Sequence, residues 1–443
     1  MGVKKNCVFL TVLIAVYFSA FFPTEANSQV NAFQLSNGLQ IILAPLDNVE
    51  ATCVMLYHLT GVRDDPLEIK GASYLYQTLM LAGTQYLDPL DRIVFIKKYG
   101  GTSNCSVNYD HSVFWQVVPD SEINNALWIE SERISSLRLE NHNIDSLKDK
   151  IYKRFYRLTN TNVHFRAESW VESKVFEGTL YQTPVYGNLE EIRGFSNQKI
   201  KKIYDNFRDL HKIIMVISGK FNIPEVRETI NKRFGGLSFN KKNSSKKNYT
   251  AVNPRAEYVY KNWLIDNLPQ PFAVYGIRAP SKLSYDHLYF DFIRCYLVDK
   301  RISKLERELN QRDDLDVTIN YEYTDYIEAN ALIIKISALR RIDLEKAKAV
   351  LRKELNTLST KALSGSDVTM VKTLMEIDFK KNMRDLEKRS LLLAENFHLS
   401  GTLDFAEKHL ERIRKITAYD ILRISKKYIK KENLVVLNVY KKK

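Results

Sequence analysis

Catalysis by a side chain or a bound metal needs particular residue types at particular spacings, and this sequence is sparing with them. Its eight histidines are His58, His111, His142, His164, His211, His287, His398 and His409. A helix brings two imidazoles to one metal ion when they stand three or four positions apart, and no two of these do. The nearest approach to a ligand pair is His164 with Glu168, one helical turn apart, which reads as a solvated helix pair. His111 lies in a strand-like block, where a structural role suits it. Nucleophilic chemistry is no better served. There is no Gly-x-Ser-x-Gly turn, and no cysteine stands with a histidine that could activate it. By its residues the chain names no metal, no cofactor and no nucleophile.

The elements around these residues are those of a folded enzyme-sized protein. The 443 residues are 45% apolar and 27% charged, with 16 glycines and 11 prolines, which excludes disordered, collagen-like and low-complexity classes. Lys4 and Lys5 precede an apolar run from Cys7 to Phe22, followed by the short polar residues Thr24-Glu25-Ala26-Asn27. A basic start, a short apolar stretch and small residues after it predict a secretory leader at 1–27. The run is short for a membrane span, so no stable span is expected once the leader is removed, and the chain is placed outside the cytoplasm, secreted or periplasmic. Three cysteines then remain, Cys53, Cys105 and Cys295, and their odd number and wide spacing predict buried thiols. The formal charge of +14 becomes +13 without the leader. Its densest runs, Lys241–Lys247 and Lys441–Lys443, come with no nucleic-acid motif and read as solvated surface.

Two halves are visible. Residues 241–252 are polar, basic and nearly free of large apolar side chains, as a linker is. The apolar strand Cys53–Tyr57 is followed about 219 positions later by Phe272–Ala279, and Ile213–Ile217 is followed about 221 positions later by Leu434–Val439. Near-equal offsets predict a duplicated unit of some 200 residues. Leu39–Leu43 and Ser112–Val118 read as further strands. Ser121–Leu137, Ile144–Leu158, Leu344–Leu363, Asp367–His398 and Asp404–Ile429 read as helices. The expected class is α+β: two homologous domains, each a mostly antiparallel sheet packed against helices, at 28–240 and 253–443.

Residues 61–114 carry a resemblance. Gly61-Val62-Arg63-Asp64-Asp65-Pro66, then Gly71 to Thr84, Gly100 to Cys105 and Asp110-His111-Ser112-Val113-Phe114 resemble, in order and spacing, the amino-terminal domain of the pitrilysin/insulinase metallopeptidases. The short processing-peptidase-like branch fits best. Tyr186–Ile192 and Ile214–Phe221 resemble the family's later blocks. The resemblance implies an inverted zinc motif, His-x-x-Glu-His on one helix face, with a Glu ligand about 76 residues on. Aligned through Gly71 and Gly83-Thr84, those positions hold Tyr74, Gln77, Thr78 and Arg154. The family's carboxy-terminal Arg and Tyr fall at Asn310 and Val317, unless a shifted register lets Arg312 and Tyr321 serve.

The resemblance therefore implies a homologue without a peptidase site. In the family such a chain pairs with a zinc-bearing one, so a catalytic family member in a heterodimer, or a second copy, is the expected partner. Extended peptides are a further one, since the family adds a substrate strand beside the segment Thr102, Ser103, Asn104, Cys105, Ser106 and Val107. Nucleic acid is not expected as a partner. A purely structural subunit and an active peptidase with an unrecognised site are the competing readings. Arg154 is expected to meet Tyr74, Gln77 and Thr78 in a hydrogen-bonded cluster in place of a metal.

Overall fold

The computed structural model describes residues 30–66, 69–81, 83–239, 248–310 and 315–442. The expected leader and most of the basic part of the linker lie outside the described residues, as does Arg312. In the amino-terminal half the chain forms β1 (Asn31–Gln34), β2 (Gln40–Pro45), β3 (Ala51–His58), α1 (Ala72–Leu79), α2 (Pro89–Lys98), β4 (Thr102–Val107) and β5 (Ser112–Pro119). It continues through α3 (Ile123–Ser135), α4 (Asn141–Thr161), α5 (Val163–Val175), α6 (Leu189–Gly194), α7 (Asn197–Phe207), β6 (Ile213–Gly219) and α8 (Ile223–Phe234). The second half runs β7 (Val259–Ile265), β8 (Phe272–Ala279), α9 (Asp286–Val298), α10 (Lys304–Asn310), β9 (Val317–Tyr323) and β10 (Asn330–Ala338). It ends with α11 (Arg341–Thr360), α12 (Gly365–Arg384), α13 (Leu386–Ser400), α14 (Ala406–Arg414), α15 (Ala418–Tyr428) and β11 (Leu434–Lys441).

The two sheets have one plan. The first has the order β1-β2-β6-β3-β5-β4 and the second β7-β11-β8-β10-β9. In each a single parallel pair, β2 with β6 and β7 with β11, joins an otherwise antiparallel sheet. β3 and β8 open at Ala51 and Phe272, β6 and β11 at Ile213 and Leu434, a common shift of about 221 positions. The fold is α+β, two sheets packed with helices.

The central strands are apolar at nearly every position, β3, β6 and β8 being buried almost end to end. That pattern needs cover on both faces of a sheet. One face of the first sheet receives α1, α3, α4, α7 and α8 of its own half, with Leu75, Leu127, Ile151, Ile203 and Ile230 among the buried contacts. The other face receives Leu393 and Ala394 of α13, from the far half, over Met55, Tyr57 and Val216. The second sheet is covered reciprocally: Ala167, Val171 and Val175 of α5 lie over Val274, Ile333 and Leu437. Each half lends one helix to the other.

Both lent helices begin at a capping side chain, and at the second, α13, the helical periodicity runs through the break. Asp367–His398 reads as one helix, yet Asp385 adopts extended backbone and its side chain accepts from the Lys388 N–H at 3.0 Å, so α12 ends and α13 starts in a new direction. Asn162 does the same between α4 and α5, accepting from the Phe165 N–H at 3.0 Å. Asp404–Ile429 likewise divides, because Thr417 and Asp420 form a capping box that restarts the chain as α15. The end of the expected linker is not loose: Tyr249 lies under the Arg63 guanidinium, and its hydroxyl is 2.8 Å from His398 Nε2.

The lent helix α5 sits so close to β8 that a Cβ on Gly276 would stand 2.4 Å from Val175 Cγ2 and 2.6 Å from Val171 Cγ1. Gly276→Val should therefore lower stability by about 1–3 kcal/mol, as overpacking does. Val171→Ala in the same chain should restore part of the loss, read as the shift in urea midpoint through a double-mutant cycle. Independent, additive effects of the two substitutions would show that the helix does not press on that strand.

Candidate functional site

The residues that the resemblance places at the family's metal positions lie on α1, which packs against β4, and on α4, which packs against α1. Asp65 fixes the start of α1. Its carboxylate accepts from the Gly71 N–H at 2.8 Å and from the Ser73 N–H and hydroxyl at 3.0 and 2.7 Å. Gly71 takes a φ of +96°, and a Cβ there would stand 2.6 Å from Ile192 Cδ1 and 2.7 Å from the Tyr186 carbonyl oxygen. Gly187, at φ +67°, abuts the Lys70 carbonyl in the same way. The glycines of two separate sequence blocks thus let the loop before α6 seat against the head of α1. Beneath the far end of α1, the buried Arg133 of α3 donates to Glu130 at 2.7 and 3.2 Å and to the Met80 carbonyl at 3.0 Å. Gln116 of β5 completes the network, donating to Glu130 at 2.9 Å.

Held in this way, Tyr74, Gln77 and Thr78 share one side of α1. Arg154 of α4, exposed, donates from Nη1 to Tyr74 Oη at 3.3 Å. Gln77 turns to β4 instead and donates to Cys105 Sγ at 3.1 Å, and Thr78 donates to the Tyr74 carbonyl at 3.0 Å. The expected four-membered cluster is thus a pair, Arg154 with Tyr74, beside a second pair, Gln77 with Cys105. The helix spacing explains the split. Tyr74 lies one turn nearer α4, while the Gln77 amide reaches the strand first, and a threonine on a helix satisfies itself on the carbonyl four residues back. Burial raises the Tyr74 phenol pKa above its ordinary value, against the lowering effect of the Arg154 charge. Burial also pushes the Cys105 thiol up, though the charge of Arg133 and the Gln77 hydrogen bond oppose it. A protonated thiol without an imidazole partner is a poor nucleophile.

This donor set does not fit zinc. The metal takes thiolate, imidazole or carboxylate ligands, and the positions offer a phenol, an amide, a hydroxyl and a guanidinium, the last with no lone pair to give. Among the described residues no group of three or more His, Cys, Asp or Glu side chains is placed to hold a metal ion. The histidines have other work. His58 is fully buried, edge-on to Tyr76 and Phe114; His111 Nδ1 lies 3.0 Å from the Tyr57 hydroxyl. His164 lies against Phe272 while its expected partner Glu168 pairs with Lys335 at 2.5 Å. The three cysteines are free, Cys53 and Cys295 buried and Cys105 half-buried rather than buried as expected, because it ends on the face of an edge strand.

The aligned carboxy-terminal positions lie apart from one another in role. Asn310 ends α10 and Val317 opens β9. Tyr321 stands in β9, where burial raises its phenol pKa against the lowering effect of the Arg294 charge. One charged group absent from the sequence reading is Arg92 of α2. Its Nε is buried without an acceptor among the described residues, and burial, then the charge of Arg133, lowers its pKa to about 10. Nothing in its sequence context distinguishes it from an ordinary surface arginine.

Two measurements follow from this packing. Asp65→Ala leaves three donors at the head of α1 without their acceptor and should cost about 2–4 kcal/mol, measured by urea unfolding. A loss under about 0.5 kcal/mol, the size of an ordinary surface change, would show that α1 is anchored otherwise. His58 is held neutral by burial, its pKa lowered from 6.5 to about 3. The unfolded chain binds the proton first, so the stabilising contribution is complete above pH 6.5 and is lost as the pH falls towards 3. His58→Phe should flatten the acid side of the stability profile over that window; an unchanged profile would refute the assignment.

Comparison with known proteins bears on this geometry. Residues 42–188 match the family described as Insulinase (Peptidase family M16), and residues 194–375 match Peptidase M16 inactive domain. The zinc protease PqqE of Helicobacter pylori is 20% identical over 442 residues, spanning 97% of each chain. A crystal structure of a protease from Helicobacter pylori superposes with a TM-score of 0.84 at 17% identity, covering 93% of this chain and 99% of that one. A structure of a peptidase M16 inactive domain from Pseudomonas fluorescens gives 0.78 at 11% identity over 94% and 98%. The first half of the periplasmic protease PqqL of Escherichia coli gives 0.73 at 14% identity over 94% and 92%. These likenesses show the fold, and the matches along the sequence show the family: the chain is a member of the M16 insulinase family.

Proposed function

We propose that this chain is a non-peptidase member of the family, exported from the cytoplasm, which pairs with a zinc-bearing chain or with a second copy and presents a polypeptide-binding face. The observation that carries the reading is the hydrogen bond from Arg154 to Tyr74. On the alignment through Gly71 and Gly83-Thr84, it joins the position of one imidazole ligand to the position of the carboxylate ligand. A cation in the place of a metal ligand repels the metal, and Gln77 in the place of the general base cannot take a proton from water. The amino-terminal half, residues 28–240, supplies this face, and residues 253–443 complete the unit. Export is supported by the apolar run at Cys7–Phe22 and by the periplasmic PqqL among the structural neighbours. No helix among the described residues is long and apolar enough to cross a membrane.

Two experiments test the reading. The mature chain, purified without chelator, should contain no stoichiometric zinc by elemental analysis. The combined variant Tyr74→His, Gln77→Glu, Thr78→His and Arg154→Glu should take up about one zinc per chain, as three protein ligands suffice for a catalytic site. A tightly held zinc in the unaltered chain would overturn the proposal; a variant that folds yet stays metal-free would overturn the alignment. Affinity purification from the native source should bring down a chain bearing His-x-x-Glu-His or a second copy, and a solely monomeric chain that cleaves peptides unaided would sink the pairing.

A further inference from the structure

The exposed side of α4 carries a row of cations. Lys150, Lys153, Arg154 and Arg157 stand at helical spacing and are all exposed. None has a carboxylate partner among the described residues. The nearby carboxylates on the same helix are already taken, Asp145 by Lys148 at 2.8 Å and Asp149 by Arg193 at 4.0 Å. Four unpaired cations along two turns of helix repel one another, and a helix gains nothing by holding them there. On the other side of α1 is an open sheet edge. β4 is the last strand of its sheet, and the Cys105 N–H is turned away from β5 and accepted only by its neighbour's side chain, Asn104 Oδ1, at 2.9 Å. α1 links the two features: Tyr74 meets Arg154 on one side and, one turn on, Gln77 meets Cys105 on the other.

We infer that this face selects acidic extended peptides, whose backbone pairs with the free edge of β4 and whose carboxylates face Lys150, Lys153, Arg154 and Arg157. The inference rests on the reading of the chain as polypeptide-binding and adds the substrate class. An unpaired strand edge is satisfied by another polypeptide backbone, which favours a peptide over an anionic lipid surface. Arg92, charged and partly buried behind the same strand, adds to the positive potential there. The inference places the carboxylates on Asp or Glu side chains; a chain terminus offers the same group and is the competing source that the test separates.

The test uses the mature full-length chain and three fluorescein-labelled eight-residue peptides of alternating Val and Glu or Gln. One has Glu with both ends capped, one Gln with both ends capped, and one Gln with a free carboxy terminus. By anisotropy at low salt the Glu peptide should bind on the order of ten-fold tighter than the capped Gln peptide, and the difference should shrink at high salt. A preference for the free terminus alone would assign the site to chain ends rather than acidic side chains and overturn the inference as stated. The variant Lys150→Gln, Lys153→Gln, Arg154→Gln and Arg157→Gln, all at exposed positions, should erase the Glu preference while keeping weak Gln-peptide binding. Ser103→Pro, which shares the outward parity of Cys105 on β4, should weaken both peptides alike. Equal affinity for Glu and Gln peptides, no binding of either, or an unaffected quadruple variant would overturn the inference. So would charge-dependent binding to phosphatidylglycerol vesicles with no peptide preference. Loss of all peptide binding would also remove the polypeptide-binding part of the proposed function, whereas equal affinity for Glu and Gln peptides would overturn the inference alone; zinc content and co-purification of a partner chain test the rest of that reading separately.

Discussion

The exchange of helices between the halves is the constraint on which the rest of the molecule depends. β3, β6 and β8 are apolar on both faces, and a sheet with one face bare would expose a large part of each core to water. α5 and α13 close those faces, each from the opposite half, so neither half completes its core alone. The crossing points are built alike. Asn162 and Asp385 both leave helical backbone, cap the helix that follows, and so turn the chain out of its own half. They are about 223 positions apart, close to the strand offset, which extends the duplication from the strands to the helix pairs α4–α5 and α12–α13. For the site this matters directly. Arg154 rides on α4, and α4 is tethered through Asn162 to a helix clamped on the other sheet.

A second consequence concerns how the site keeps its shape. A metal bound between α1 and α4 would gather the two helices, and here other contacts do so. Asp65 pins the head of α1, the Gly71–Gly187 approach fixes it to the loop before α6, and Phe155 of α4 stacks on Tyr186 at 4.1 Å while meeting Tyr74 edge-on at 5.2 Å. Arg133, Glu130 and Gln116 hold the far end with every charge paired in a dry setting, where breaking one partner costs far more than the pair contributes. The helices meet through apolar packing and hydrogen bonds that no ligand has to complete.

Much of this was readable in the chain and some was not, for physical reasons. The repeated apolar strands announced two related sheets, because a strand buried on both faces has no polar positions to disguise it. That Tyr74, Gln77, Thr78 and Arg154 carry no metal-binding side chain is a matter of residue type; their place at the family's metal positions rests on the resemblance. The breaks at Asp385 and Thr417 escaped the reading because apolar periodicity continues through them; what signals them is a capping side chain, a local hydrogen bond that periodicity does not count. The lent helices could not be foreseen at all, since amphipathic helices look the same whichever sheet they cover. Gln77 turning to Cys105 is likewise a tertiary outcome, set by which acceptor a short amide meets first.

The electrostatics of the site give the change of side chains a direction. By the resemblance, an active relative would set one Zn²⁺ against a carboxylate ligand and a carboxylate base, a sum of charges near zero. On the proposed alignment the same three places here hold no metal, a neutral amide and a guanidinium, a sum of +1. Loss of a metal site by drift of its ligands requires only that they stop binding, and neutral residues would do that. A fixed cation held against a phenol does more. On the proposed reading it replaces the Lewis acid with a positive charge on the exposed side of α4, where its attraction for a carboxylate is weakened by water but not abolished. Lys150, Lys153 and Arg157 continue that charge along the helix, so the field belongs to the face and not to one residue. A site that polarises a carbonyl must place its charge to within a fraction of an ångström; a site that holds an anionic chain needs only a row of charges and a free backbone edge.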